Sequence, residues 1–301
     1  MRGAGTIGSK ARWVSCLLTL AFACFTCSIR PQMPPWAFMW TVALMIFASC
    51  KWLTWWRAYR PFEFRDHDEK VQTAPTWMRA GYLLAWVGMD AQAFLRTARP
   101  IVKPVKVQWL FAWAKAGFGA ALLWGMVQLI PAGAELVRGW VGLIGLVFLL
   151  HFGLFHLLAL AWQRAGVNAP PIMRAPVLAT SVADFWGRRW NLAFHYLAHE
   201  MVFRPLRRKV GVPLATIAAF VVSGFVHEIV ISFPAGGGYG GPMLYFAVQA
   251  LAVLFERFWH LTGWRARLWT FLCVAGPVGI LFHPTFINRV ILPFMKVIGA
   301  F

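Results

Sequence analysis

The chain has 301 residues, 60% of them hydrophobic and only 13% charged, where soluble domains carry roughly 25% charged residues. That leaves too little polar surface to cover a water-soluble fold, so the class read from composition is an integral membrane protein. The formal net charge is +19, from 29 Lys and Arg against 10 Asp and Glu. The basic residues sit between hydrophobic runs, where they set topology and attract anionic headgroups, so nucleic acid is excluded as a partner.

From the N-terminus, a basic start leads into an apolar run without a small-x-small cleavage site, which predicts a retained signal-anchor. Runs near the ~20 residues a spanning helix needs follow at Trp13–Ile29, Pro35–Trp56, Val107–Ile130, Leu136–Gln163, Val210–Phe233, Pro242–Phe258 and Leu268–Phe282, with a weaker one at Ile287–Phe301. Met78–Leu95 is interrupted by Arg79, Gly88 and Asp90 and is expected along the membrane interface. The expectation is an all-α, polytopic membrane protein of about seven to nine spans plus an interfacial amphipathic helix. Without internal repeats or heptads, residues 1–301 read as a single domain whose motif region is 181–230.

Basic residues concentrate in alternate connections: Arg57 to Lys106 after the second span, Arg164 to Lys209 after the fourth, and Arg257 to Arg267 after the sixth. The opposite connections, Pro131–Glu135 and Ala235–Gly241, carry no Lys or Arg. The positive-inside rule then places the N-terminus and the basic, catalytic loop in the cytoplasm, and a bacterial inner (cytoplasmic) membrane is the expected location. Cys16, Cys24, Cys27, Cys50 and Cys273 all lie in apolar runs and read as buried apolar residues rather than a disulfide framework. The glycine-rich FPAGGGYGGP, 233–242, reads as a turn, because it lacks the Lys-Ser/Thr of a phosphate loop.

Two stretches carry chemistry. DFWGRRWNLAFHYLAHE, Asp184 to Glu200, gathers an acid, two arginines, an asparagine and two histidines. Laid on a helix at about 100° per residue, Asp184, Arg188, Asn191, His195 and His199 share a stripe roughly 80° wide, with Trp186, Trp190, Phe194, Leu197 and Met201 on another face. A plain interfacial anchor explains the aromatics and arginines but not the acid, the amide and the histidines, which suit a lined cavity. The second stretch is SGFVHEIV, where His227 and Glu228 interrupt an otherwise uncharged apolar run. Ionisable groups there are functional candidates by default, the alternative being a helix–helix hydrogen bond. Ser223 stands one turn before His227 and suits orienting its ring; Gly224 permits close approach of a helix or substrate chain. His195 and His199 form an HxxxH pair of metal-ligand type, but the other histidines are scattered and no metal site is expected. His260 and His283 read as interfacial.

With these residues in view, the chain resembles the membrane-bound O-acyltransferase superfamily, in its wax-synthase-like branch. SVADFWGRRWNLAFHYLAHEMVFRPLRRKVG, 181–211, carries the resemblance together with SGFVHE, 223–228, and WVGMDAQAFL, 86–95, adds to it. The resemblance implies a transferase with Asn191 as motif asparagine and His227 as catalytic histidine. It also implies acyl-CoA as co-substrate, a hydroxyl-bearing lipid or small molecule as acceptor, membrane lipids as surroundings and no bound cofactor. His227 would serve as general base, and Asn191 would position the thioester or its oxyanion. Asp184, Trp186, Arg188, Arg189, Trp190, His195, Arg204, Arg207, Arg208, Ser223 and Glu228 are expected to bind substrate, the arginines through CoA phosphates. Many relatives are longer. A histidine-dependent metal lipid oxidase and a non-enzymatic transporter are the rival readings, and the acceptor and oligomeric state stay open. One geometric tension follows: counted from Val210, His227 lies ~26 Å along its helix, far from a surface-bound Asn191.

Overall fold

The computed structural model describes residues 32–59, 74–96 and 101–301. The expected first span, Cys16, Cys24, Cys27, and the basic residues Arg60, Arg65 and Arg99 fall outside the described residues. Within them every regular element is helical, as a chain meeting lipid requires, since a helix satisfies its backbone polar groups internally. Four helices are long and apolar enough to cross a bilayer, or five if the bent pair Gly263–Leu281 and Pro284–Val297 (55°) is one span.

The long helices are α1 (Pro35–Tyr59), α4 (Lys106–Leu129), α5 (Glu135–Arg164) and α7 (Leu192–Ala235). Two short helices, α2 (Thr76–Ala85) and α3 (Ala91–Leu95), lie between α1 and α4. The expected interfacial Met78–Leu95 is thus a folded corner, with Tyr82 and Phe94 wholly buried and Asp90 capping α3 through the Ala93 N–H. After α5 come α6 (Val182–Asp184), which runs into a π turn at Phe185–Arg189, then α7 and α8 (Gly241–Trp259). The bent pair forms α9 (Gly263–Leu281) and α10 (Pro284–Val297). The predicted span Pro242–Phe258 is realised as α8, which falls outside the set of strongly apolar helices.

Small residues let the helices approach. A Cβ on Gly145 of α5 would crowd Leu123 and the Gly119 carbonyl of α4, and one on Gly142 would collide with Met295 of α10. The largest core joins Met39 of α1, Leu146 of α5, Phe246 of α8, and Ile287 and Met295 of α10. A smaller cluster of Val182, Ala252 and Cys273 ties α6 to α8 and α9. Cys50 and Cys273 are free thiols, half-buried and buried, as expected.

One break decides the geometry of the site. α7 counts 44 residues, but Gly211 inside it has φ 80° and ψ 173°. That is a left-handed backbone readily open only to glycine, and Pro213 follows it. Side chains on the two limbs face one cavity in opposite order: Phe194, Ala198 and Phe203 before the break, His227, Phe220 and Thr216 after it. The Phe194 and His227 rings, remote in sequence, lie 6.4 Å apart. α7 is therefore a helical hairpin folded at Gly211, with Phe194 of the first limb beside His227 of the second.

Candidate active site

The segment 184–200 is not one straight helix. After the π turn, Trp190 is extended and Asn191 takes a left-handed conformation, φ 41° and ψ 60°. Asparagine is among the few non-glycine residues that tolerate this region. The Asn191 side-chain oxygen accepts from the Phe194 N–H and caps the first limb of α7. The predicted single stripe is thereby split. Asn191, His195 and His199 line the cavity, but so do Trp186, Trp190 and Phe194 of the supposed opposite face, while Asp184 and Arg188 do not.

Asp184 is engaged elsewhere. Its carboxylate accepts from Arg189 Nε at 2.6 Å and from the Thr180 N–H at 3.1 Å. Burial opposes its ionisation, but the Arg189 and Thr180 hydrogen bonds outweigh that and hold the carboxyl below its ordinary range. Arg189 also donates to the Ala175 carbonyl. The pair clamps the loop before α7 and does not reach the cavity, which corrects the expectation of substrate contact for both residues.

The cavity has a volume of about 330 Å³, within the range of small-molecule sites, which begins at ~300 Å³. From the second limb, His227 enters it half-buried. Its Nδ1 stands 2.7 Å from the Ser223 carbonyl oxygen. A carbonyl only accepts, so Nδ1 carries the proton and Nε2 bears the lone pair. The contact to the ring is made by the Ser223 backbone, while its hydroxyl donates to Ala219 O. Phe246 of α8 packs on the imidazole at 4.5 Å between centroids. Gly224 allows this contact, because a Cβ there would lie 2.8 Å from Met243 and close to Phe246. The close approach is therefore by a helix rather than by substrate.

Glu228 does not line the cavity. Its Oε1 accepts from the N–H groups of Gly240 at 2.8 Å and Met243 at 3.2 Å, capping the start of α8 in the manner of an acid at a helix N-terminus. Glu228 Oε1 thus serves as a structural cap for α8. Arg204 pairs with Glu200 at 2.9 Å, and Glu200 also meets His199 Nδ1 at 3.1 Å. Arg207, Arg208 and Lys209 are exposed beside the Gly211 bend, near the cavity end marked by Phe203 and Thr216. His195 and His199 stand 5.8 Å apart on the wall. Among the described residues no group of three or more His, Cys, Asp and Glu gathers with metal-binding geometry. His283, expected at the interface, is buried and caps α10 by accepting from the Phe286 N–H; His260 is exposed at the end of α8.

Two supporting residues escaped the sequence reading. Gln249 is wholly buried, accepts from the Trp186 indole N–H at 3.1 Å and donates to the Cys273 carbonyl at 2.7 Å. The Glu256 carboxylate accepts from the N–H groups of Val182 and Ala183, both at 2.7 Å. Their only sequence signal was a polar residue interrupting an apolar helix, at a spacing of seven that keeps both on one face of α8.

Residues 169–248 match the membrane bound O-acyl transferase family. That stretch holds the whole of the cavity except Val253. The chain is similar to the probable long-chain-alcohol O-fatty-acyltransferase 3 of Arabidopsis thaliana, 32% identical over 145 residues that cover 42% of each protein. It is 34% identical over 100 residues to the long-chain-alcohol O-fatty-acyltransferase of Simmondsia chinensis, covering 29% of this chain and 28% of that one. Acyl-CoA--sterol O-acyltransferase 1 of Arabidopsis thaliana is 33% identical over 97 residues, covering 30% of this chain and 28% of that one. The chain thus spans less than half the length of the curated relatives it matches.

Proposed function

We propose that the protein is an O-acyltransferase that moves a fatty acyl group from acyl-CoA to the hydroxyl of a lipophilic alcohol, giving an ester and free CoA. One observation carries this reading: the Gly211 fold-back brings Asn191 and His227 to one cavity inside the segment that matches the family. His227 Nε2 takes the hydroxyl proton as the alcohol oxygen attacks the thioester carbonyl. Ser223 O steadies the imidazolium through Nδ1–H, and the Asn191 amide N–H donates to the developing oxyanion. Collapse breaks the carbon–sulfur bond, and His227 returns the proton to the thiolate. The ring begins and ends neutral, which suits a site among aromatic walls.

Charge supports acyl-CoA as donor. Arg207, Arg208 and Lys209 are exposed at the bend, and Thr216 to His227 spans about eleven residues, roughly 16 Å of helix. A CoA bound by its phosphates at the bend would send its pantetheine arm along the cavity, past His199 and His195, to the reacting pair. Arg188 does not enter the cavity and takes no part in this reading. The positive-inside bias puts these basic residues in the cytoplasm, the membrane being a bacterial inner membrane on this reading, and the chain working as one domain. Names of two relatives favour a long-chain alcohol as acceptor, and a third names a sterol.

Membranes containing the protein, given labelled acyl-CoA and a series of long-chain alcohols, should form labelled ester, and His227→Ala should abolish it. Absence of labelled ester with every acceptor, or equal ester from His227→Ala, would overturn the reading.

A further inference from the structure

The two reacting residues come from opposite limbs of the α7 hairpin. Both are registered against a single face of α8. Phe246 packs on the His227 ring at 4.5 Å. One turn on, Gln249 accepts the Trp186 indole N–H at 3.1 Å, and Trp186 belongs to the π turn that leads into Asn191. Two turns further, Glu256 holds the first two N–H groups of that same segment. Trp186 itself sits 5.5 Å from Phe246 and 6.1 Å from Phe220, between the two supports.

Gln249 is the discriminating member. It is 0% exposed, and both ends of its amide are used: Oε1 by Trp186, Nε2 by the Cys273 carbonyl. A buried amide satisfied at both ends fixes geometry rather than adding bulk, since moving either partner leaves a polar group unpaired in an apolar setting. A leucine or methionine would fill the same volume, so packing alone does not require glutamine.

We propose that Gln249 is a positioning residue for acyl transfer, holding Trp186 so that the Asn191 segment keeps its register with His227 on the common rail of α8. The proposal rests on the acyltransferase reading. It differs from a plain stabilising role in one respect: Gln249 acts through Asn191. With Asn191 removed, the alignment Gln249 maintains has nothing left to align.

The test is a double-mutant cycle read as turnover per folded molecule, with the KM for acyl-CoA measured alongside. Gln249→Met, close in volume and without an amide, should lower kcat by about tenfold in the Asn191 protein and leave the KM for acyl-CoA within about twofold. In the Asn191→Gly background, which keeps the left-handed turn, the same substitution should change the residual kcat by less than about twofold. Trp186→Phe, which removes the N–H donor and trims the indole to a single ring, should follow the same pattern and serves if Gln249→Met fails to fold. Equal factors in both backgrounds, an effect confined to KM, or an unchanged kcat in Trp186→Phe would overturn the proposal while leaving the acyltransferase reading intact. A wild-type protein that forms no ester with any donor would overturn both.

Discussion

Two clusters of buried polar groups, one around Lys51 of α1 and one around His227 of α7, dispose of their hydrogen bonds in different ways. Around Lys51, 2% exposed, every group is consumed internally. The ammonium donates to the Gly88 carbonyl at 2.6 Å and lies 3.4 Å over the Tyr82 ring, and the Tyr82 hydroxyl meets Thr54 at 2.6 Å. None of these residues lines the cavity of the described site. Around His227, one ring nitrogen is held by Ser223 O and the other has no partner among the described residues; Asn191 uses its oxygen as a cap, and its amide N–H groups have no partner among the described residues. Buried polarity that is fully paired fastens helices, and buried polarity left half-paired beside open space is available to a substrate.

That contrast can be broken or sharpened by substitution, from the largest effect on turnover to the smallest. His227→Ala should reduce ester formation by ~10²–10⁴-fold, the range of general acid–base contributions; protein recovered from membranes at normal yield with ester formation intact would remove the base assignment. Asn191→Gly should lower kcat by ~10²-fold. Glycine keeps the left-handed turn, so this variant separates the amide's chemistry from the strain an alanine would add there. Arg207→Glu with Arg208→Glu should raise the KM for acyl-CoA several-fold and make it less sensitive to salt. Lys51→Met should leave turnover per folded molecule unchanged while lowering stability by about 1–3 kcal/mol, because the Gly88 carbonyl loses its donor; the melting temperature in detergent reads this out. Asp184→Asn should cost less than about 1 kcal/mol. Its carboxyl is held below the ordinary range when folded, so its contribution is present above that range and is lost as pH falls through the depressed value. A melting-temperature difference between Asp184→Asn and the parent should therefore shrink toward acid.

Much of this was legible in the sequence, and the failures share a cause. Composition alone placed the helices of α1, α4 and α5 within a residue or a few of their observed ends, because lipid leaves no other way to satisfy a backbone. His227 and Asn191 stood out as polar groups where polarity is costly, and the structure brings both to one cavity. The wheel drawn through Asp184–His199 failed because it assumed a constant 100° per residue across a π turn and a left-handed Asn191. The distance between a deep His227 and Asn191 closes because the fold at Gly211 lays the first limb of α7 alongside the second; Gly211 was visible as a glycine two residues before a proline, but its φ of 80° depends on the tertiary fold. Glu228 looked chemical because an acid beside a histidine invites pairing, whereas consecutive helical residues point in different directions. Gln249 and Glu256 were hidden for the opposite reason: their partners lie 63 and 74 residues away, beyond any local pattern.

The fold-back of α7 is what makes one site of two remote motifs, and it can be measured without activity. With the native cysteines replaced, Phe194→Cys combined with His227→Cys should join rapidly through a short bifunctional cross-linker in membranes, since those rings stand 6.4 Å apart. A continuous straight helix would hold the two positions roughly 50 Å apart at 1.5 Å per residue, and failure of that pair to cross-link in folded protein would contradict the hairpin and the active site built on it.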